Sequence, residues 1–342
     1  MTKKEDSFSH SDLQDVERRR FLGGVVATAG VGILASLGAS ATPSVGKNRI
    51  VITTPTGNIG SQILETIVAS GAPIRVIERN PSRIPATVRS HIEIIQGSHS
   101  DPAVVDEAFQ NTDTVFWLCP PDAQAQSAID AYVDFTRPAC QAILRHGVRR
   151  VISVSALGRN TPFAANAGYV TASLAMDDLI ASTGVNFRAL TMPSFMDNIA
   201  RQIAPIRERG VFFLPIDGDR KFPTVATRDI ASVAAQLLLD QSWSGQHEVA
   251  VLGPEDLSFN EMADIMTEVL GKPVRYQQIS FDDFKAGFVQ RGMSNAMANA
   301  MIDMYKAKNE GLDNGVQRTP ENTTPTTFRQ WCEEVLTPAI LQ

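Results

Sequence analysis

Hydrophobic positions along this chain switch repeatedly between two periods. Residues 49–54 are a short β-branched run. After a turn holding Gly57 and Gly60, Ile59, Ile63, Leu64, Ile67 and Val68 recur at helical spacing until Gly71 stops them. Strand-like runs follow at residues 74–77, 92–95, 115–118, 151–154 and 185–190. Helical patterns lie between them: a short one opened by Asp101-Pro102 that carries Val104, Val105 and Ala108, a longer one over 128–146 ended by Gly147, and one over 171–182. Strands alternating with helices at this spacing predict βαβ units. Right-handed crossovers then predict an α/β fold with a doubly wound, mostly parallel Rossmann sheet. The ligand crevice of such a sheet lies beyond the carboxyl ends of its strands.

The pattern loosens after Pro193. Helices are expected over 227–240, 281–291 and 295–309, with strands over 247–252 and 274–279. Ser258-Phe259-Asn260-Glu261 reads as a capping box that opens a helix ending at Leu270. The expected organisation is a dinucleotide-binding domain over 48–192 and a smaller α+β lobe over 193–342, with some of its segments returning to the first core.

Before residue 42 the pattern is of another kind. A polar stretch leads to Arg18-Arg19-Arg20-Phe21-Leu22, then a Gly- and Ala-rich apolar run from Gly23 to Leu37, then Ala39-Ser40-Ala41. That order is a secretory leader, and its twin-arginine core resembles a receptor-read export signal. Residues 1–41 are therefore expected to engage the twin-arginine export machinery and to be removed after Ala41, giving a periplasmic or otherwise exported protein. The apolar run is shorter than the ~20 residues a membrane crossing needs, so no stable insertion of the mature chain is expected. A retained anchor or a cytosolic chain are the alternatives.

Composition narrows the function. The net charge is −6, and the leader's five basic and five acidic residues leave that value unchanged in the remainder. A nucleic-acid surface would need a basic patch, so none is expected. Five histidines without ligand spacing argue against zinc. Cys119, Cys140 and Cys332 form no CxxC pair. Cys119 and Cys140 lie in apolar stretches, and a disulfide from Cys332 to either stays open.

The sharpest motif is Thr54-Pro55-Thr56-Gly57-Asn58-Ile59-Gly60, between strand and helix. Gly57, without a Cβ, lets a pyrophosphate approach the backbone, and Gly60 permits close packing of helix on strand. The helix start supplies N–H groups and partial positive charge. Thr54, Thr56, Gly57, Asn58, Ile59 and Gly60 are thus the candidate phosphate-binding residues. Thr54 stands where a glycine-rich pattern has its first glycine, which alters the turn. The second strand ends Glu78-Arg79. An acidic residue there accepts a ribose 2′-hydroxyl, and an arginine holds a 2′-phosphate. Only one of two adjacent side chains faces the ribose. Arg79 with Arg83 favours NADP(H) over NAD(H).

These segments, together with Val115-Phe116-Trp117-Leu118-Cys119-Pro120-Pro121, Val151-Ile152-Ser153-Val154-Ser155, Thr227-Arg228-Asp229-Ile230 and the closing Thr327-Phe328-Arg329-Gln330-Trp331, resemble the NmrA-like proteins, atypical short-chain dehydrogenase/reductases. The resemblance spans roughly residues 48–335. It implies that Pro120 and Pro121 border the nicotinamide ribose, and that Pro193, Ser194, Phe195 and Met196 line the nicotinamide and substrate mouth. It puts Ser155 at the family's catalytic-serine position. It also puts Ser98 where many relatives have an adenine-contacting aspartate, leaving adenine to backbone or His99.

Typical short-chain reductases relay a proton through Tyr-x-x-x-Lys. Here Tyr169 is followed four residues on by Ser173, and the helix holds no lysine. Near a pKa of ~10 the phenol is a poor base at pH 7, so Tyr169 and Ser155 are weak catalytic candidates. Packing at the lobe interface is the main expectation for Tyr169. Asp177 and Asp178 point about 100° apart on a helix and read as charge on a solvated face. The favoured function is an NADPH-dependent oxidoreductase that transfers hydride to a small quinone-like or other aromatic acceptor, near Phe195, Met196 and Trp117. The alternatives are a non-catalytic NADP-binding sensor and an epimerase-like isomerase. The sequence says nothing about oligomeric state.

Overall fold

The computed structural model describes residues 48–341. The leader expected over 1–41 lies outside the described residues. The described residues group as one compact unit. Among the described residues, seven parallel strands form the main sheet. They are β1 (Arg49–Thr53), β2 (Ile74–Glu78), β3 (Glu93–Gln96), β4 (Thr112–Trp117), β5 (Arg150–Ala156), β6 (Asn186–Met192) and, much later in the chain, β10 (Gln246–Ala250). Their order is β10-β6-β5-β4-β1-β2-β3. The order reverses between β1 and β4, which is where a doubly wound sheet opens a crevice.

Both faces of the sheet are apolar because successive side chains point opposite ways and helices cover each side. Ile50 and Ile52 of β1 pack with Ile63, Leu64 and Ile67 of α1 (Gly60–Ser70). Val51 faces the other layer, with Val105, Ala108 and Phe109 of α3 (Pro102–Phe109). A single-turn helix, α2 (Ala86–Arg89), precedes β3. Each fully buried side chain of this size contributes roughly 2 kcal/mol. The same layer as α3 holds α4 (Phe135–His146) and α5 (Tyr169–Ala181).

The helix expected over 128–146 is not one regular helix. A π-helical turn, Asp130–Asp134, precedes α4. Pro138 lies in the first turns of α4 and has no N–H to give Asp134, its i−4 neighbour. The π turn adjoins the place where the regular ladder fails.

The later part of the chain gathers around a third core. It contains β7 (Ser194–Phe195), α6 (Ile203–Arg209), β8 (Val211–Leu214), β9 (Phe222–Val225), α7 (Thr227–Leu239), β11 (Asp256–Leu257), α8 (Phe259–Leu270), β12 (Arg275–Gln278), α9 (Phe281–Gln290), α10 (Asn295–Asn309), α11 (Phe328–Trp331) and α12 (Thr337–Leu341). The capping box at Ser258 and Glu261 is present in both directions. Two elements from this stretch of the chain, β10 and α7, serve the main sheet instead. β10 pairs with β6, and α7 packs beside α1 on the outer face through Ile230, Ala234 and Leu238. Cys119, Cys140 and Cys332 are all free and buried, so the disulfide left open for Cys332 is not formed. Among the described residues, no helix is long and apolar enough to cross a membrane.

Candidate dinucleotide crevice

Beyond the carboxyl ends of β1, β2 and β4 opens a crevice of about 890 Å³. Thr53, the last residue of β1, pins the switch point shut beneath it. Its hydroxyl donates to the Phe116 carbonyl (3.1 Å) and accepts from the Leu118 amide (2.9 Å). The chain then turns sharply at Thr54, whose φ is +52°. A β-branched residue rarely adopts this left-handed conformation, which costs roughly 1–2 kcal/mol relative to glycine's freedom. The Thr54 carbonyl accepts from the Gly57 amide (3.1 Å). Its own hydroxyl is buried without a partner.

The two glycines of this turn have different duties. A Cβ on Gly60 would lie 2.1 Å from the Thr54 carbonyl oxygen, so only glycine lets α1 start this close to the turn. A Cβ on Gly57 would meet that oxygen at an ordinary 3.5 Å. Nothing within the protein demands glycine at 57. What its missing Cβ leaves open is backbone lining the crevice, beside a helix whose start carries no side-chain cap. That cradle fits a diphosphate.

At the end of β2 the two candidate ribose contacts separate as strand alternation requires. Glu78 is buried, and both its carboxylate oxygens are taken, one by the Thr56 hydroxyl (2.8 Å) and one by the Asn80 amide (2.9 Å). Arg79 and Arg83 are exposed and line the crevice. Across from them, His99 donates through Nε2 to the Leu118 carbonyl (3.0 Å) and stands edge-on to Trp117 and Phe135. Burial pulls its pKa down to about 4, so the ring is neutral at pH 7 and Nδ1 is left as an acceptor.

The crevice thus gathers Thr54, Thr56, Gly57, Arg79, Arg83, Pro120 and Pro121. The other expected residues lie elsewhere. Ile59 is a core side chain against α1, Gly60 is a packing position, and Asn58 is exposed outside the lining. Pro193 is buried and is not part of the lining. Phe195 packs on the outer core of the sheet, and Met196 is 1% exposed in the third core. These two positions were expected at a substrate mouth. Phe195 ends β7, and Met196 opens the 3-10 turn that follows, with its side chain in the third core. Trp117, expected near that mouth, is buried and donates to the Thr136 hydroxyl (3.1 Å).

Tyr169 is the first residue of α5 and packs on Met297 and Ala300 of α10. Burial pushes its pKa up to about 12, which removes it as a base. Ser155 is buried beyond the crevice lining, and its hydroxyl donates to Asp177. Asp177 corrects the reading of a solvated pair. The ~100° separation holds, but it sends only Asp178 outward, to Arg159 (2.9 Å), while Asp177 is 2% exposed under β5. In the loop after β4 the sequence had singled out Pro120 and Pro121, but not the lining residues beyond them. Asp122, Gln126, Asp130 and Phe135 line the crevice. Ser294, at the start of α10, ties this loop down by donating to the Ala123 (2.9 Å, amide) and Ala125 (2.7 Å, hydroxyl) carbonyls.

Curated proteins similar to this chain include a (4-alkanoyl-5-oxo-2,5-dihydrofuran-3-yl)methyl phosphate reductase from Streptomyces griseus, 26% identical over 83% of this chain and 97% of its own length. An NAD(P)H azoreductase from Xenophilus azovorans is 25% identical over 83% of this chain and 96% of its own. Among solved structures, an NADPH-dependent quinone oxidoreductase from Escherichia coli, complexed with NADPH, superposes with a TM-score of 0.68. That match has 21% identity and covers 82% of this chain and 97% of the other, a likeness of fold. The family model described as NmrA-like matches residues 46–332, and the chain belongs to the NmrA-like family.

Proposed function

We propose that this protein binds NADP(H) in the crevice and uses it to reduce a small quinone-like or other aromatic acceptor. The observation that carries the cofactor choice is at the end of β2. Glu78 has both oxygens occupied by protein donors, while Arg79 and Arg83 face the crevice as exposed cations. A 2′-phosphate finds a guanidinium fork there, and a bare 2′-hydroxyl finds no free carboxylate. The Gly57 backbone would hold the diphosphate, and Pro120 and Pro121 would border the nicotinamide half. When bound, the dihydronicotinamide supplies the hydride, and the protein orients an acceptor against it. The similarity to an azoreductase and to a quinone oxidoreductase fold supports an aromatic acceptor.

Calorimetry tests the cofactor. NADPH is expected to bind tighter than NADH by at least tenfold, and Arg79→Gln is expected to remove most of that preference, since a charge-assisted bond is worth roughly 1.5–3 kcal/mol. Equal affinities would refute the assignment. Stopped-flow mixing of the NADPH complex with 1,4-benzoquinone then tests turnover. A binding protein without turnover is the second reading, favoured by the buried, proton-retaining Tyr169 and the lysine-free α5. Export through the twin-arginine route belongs to the same proposal, and amino-terminal sequencing of the protein from the periplasm should begin at Thr42.

A further inference from the structure

The proposed reaction leaves unused a buried acid that packs under the main sheet, Asp177, 2% exposed. Asp177, on α5, accepts from Ser153 Oγ (2.8 Å) with one carboxylate oxygen and from Ser155 Oγ with the other. Both serines lie on β5 and face α5, and both are buried. Strand register fixes where this group stands. Ser153 pairs with Trp117, the last residue of β4, and Ser155 stands two residues further toward the carboxyl edge of the sheet, the edge at which Pro120 and Pro121 line the crevice. The charged groups that bear on Asp177 are Arg159, from the loop after β5, and Glu248, from β10. Arg159 is itself shared between Asp178 and Glu248.

We propose that Asp177 is a positioning residue that stores a proton and passes it through the Ser155 hydroxyl to the reduced acceptor, in the place of the missing Tyr–Lys relay. This rests on the oxidoreductase reading. Burial pushes the carboxyl up to about 7, against the lowering pull of the two hydroxyls and Arg159. A carboxyl poised there exchanges protons at neutral pH. Its protonation also reverses the hydrogen bond. The carboxylate holds the Ser155 proton, whereas the carboxylic acid donates to Ser155 Oγ and frees that hydroxyl proton to point away. When bound, the dinucleotide would supply the hydride, and a quinone or carbonyl acceptor so reduced would carry an oxyanion. The Ser155 O–H bond breaks as the acceptor O–H forms, Ser155 Oγ takes the Asp177 proton, and the carboxylate is reprotonated from water.

Two measurements on the full protein test this. Carboxyl-¹³C aspartate NMR should show one resonance titrating near pH 7, absent in Asp177→Asn, whose midpoint rises by half a unit or more in Ser155→Ala because one donor to the carboxylate is gone. With NADPH and 1,4-benzoquinone, Asp177→Asn and Ser155→Ala should each lower kcat at least tenfold with little change in KM for NADPH, lose the decline above pH 7, and combine without further loss. A midpoint indifferent to Ser155→Ala overturns the pair. Full turnover with an unchanged pH profile in Asp177→Asn overturns the relay. If the native protein reduces no quinone, the oxidoreductase reading falls and the relay with it, while the NMR midpoint still decides whether Ser155 and Asp177 share the proton.

Discussion

Gly57 and Gly60 stand three residues apart in one turn, and alanine at each is expected to damage a different property. At Gly60 the new Cβ would sit 2.1 Å from the Thr54 carbonyl oxygen and 2.9 Å from its carbon, where ordinary contact begins near 3.4 Å. Both are backbone atoms, so either the turn or the first turn of α1 must move by about an ångström. Overpacking of this kind costs roughly 1–3 kcal/mol, and a backbone obstacle places it high in that range. Alanine regains up to ~1 kcal/mol as a helix former, which does not offset the clash. At about 2–4 °C per kcal/mol, Gly60→Ala should lower the melting temperature by roughly 3–10 °C. At Gly57 the conformation is open to any residue and the nearest contact is 3.5 Å. Gly57→Ala should therefore melt with the native protein. Its methyl occupies the surface a diphosphate must touch, so NADPH affinity should fall by tenfold or more, about 1.4 kcal/mol per decade. Thermal unfolding followed by circular dichroism, paired with calorimetry, reads both effects. A Gly60→Ala protein as stable as the native one, or a Gly57→Ala protein that binds NADPH unchanged, would show that the turn is not the cradle described.

Other outcomes are expected from the same turn and from the buried side chains beyond it. Thr54→Gly removes a left-handed β-branched residue and an unpartnered hydroxyl. Glycine's larger entropy loss, roughly 0.5–1 kcal/mol, offsets part of this, so the melting temperature should hold or rise by a few degrees, and a fall would show that the Thr54 methyl packs usefully. Asp177 makes stability depend on pH. Its folded carboxyl keeps a proton up to about pH 7 that the unfolded chain has already lost, so its contribution is full in acid and disappears as pH rises, by up to roughly 4 kcal/mol. Asp177→Asn should gain on the native protein in melting temperature between pH 5 and pH 8, and parallel curves would refute the raised carboxyl. Burial pushes all three thiols up, Cys140 and Cys332 to about 12. An aromatic disulfide reagent should find no fast-reacting thiol until the protein is unfolded.

The sheet, its connections and the phosphate turn were legible because each carries a local physical signature. The β-branched run of β1, the glycine turn and the 3.6-residue recurrence of Ile59, Ile63 and Ile67 all mark one βα unit. The Ser258–Glu261 box marked the start of α8 correctly, with Ser258 as the N-cap and Phe259 as the first helical residue. Strands such as β7 and β11, two residues each, have no period to read. Side-chain direction was the other gap. Adjacent Asp177 and Asp178 announce a divergence but not which one turns inward, because that depends on how α5 rolls against β5. Met196 had the right chemistry for an apolar mouth, yet in the 3-10 turn after β7 its side chain joins the third core. Glu78 and Arg79 posed a choice that only the Thr56 and Asn80 donors resolve.

The position of β10 bears on how the molecule is made. A ribosome has released the other six strands of the main sheet by residue 192, yet the seventh arrives only with residues 246–250. Until then β6 offers a bare row of amides and carbonyls to any passing strand, the situation in which nascent chains pair wrongly or recruit chaperones. A fragment cut at the apparent border near residue 192 would keep that open flank permanently. Expression of residues 48–192 alone should give aggregated material, and any shortened version that stays in solution must retain the chain through Ala250.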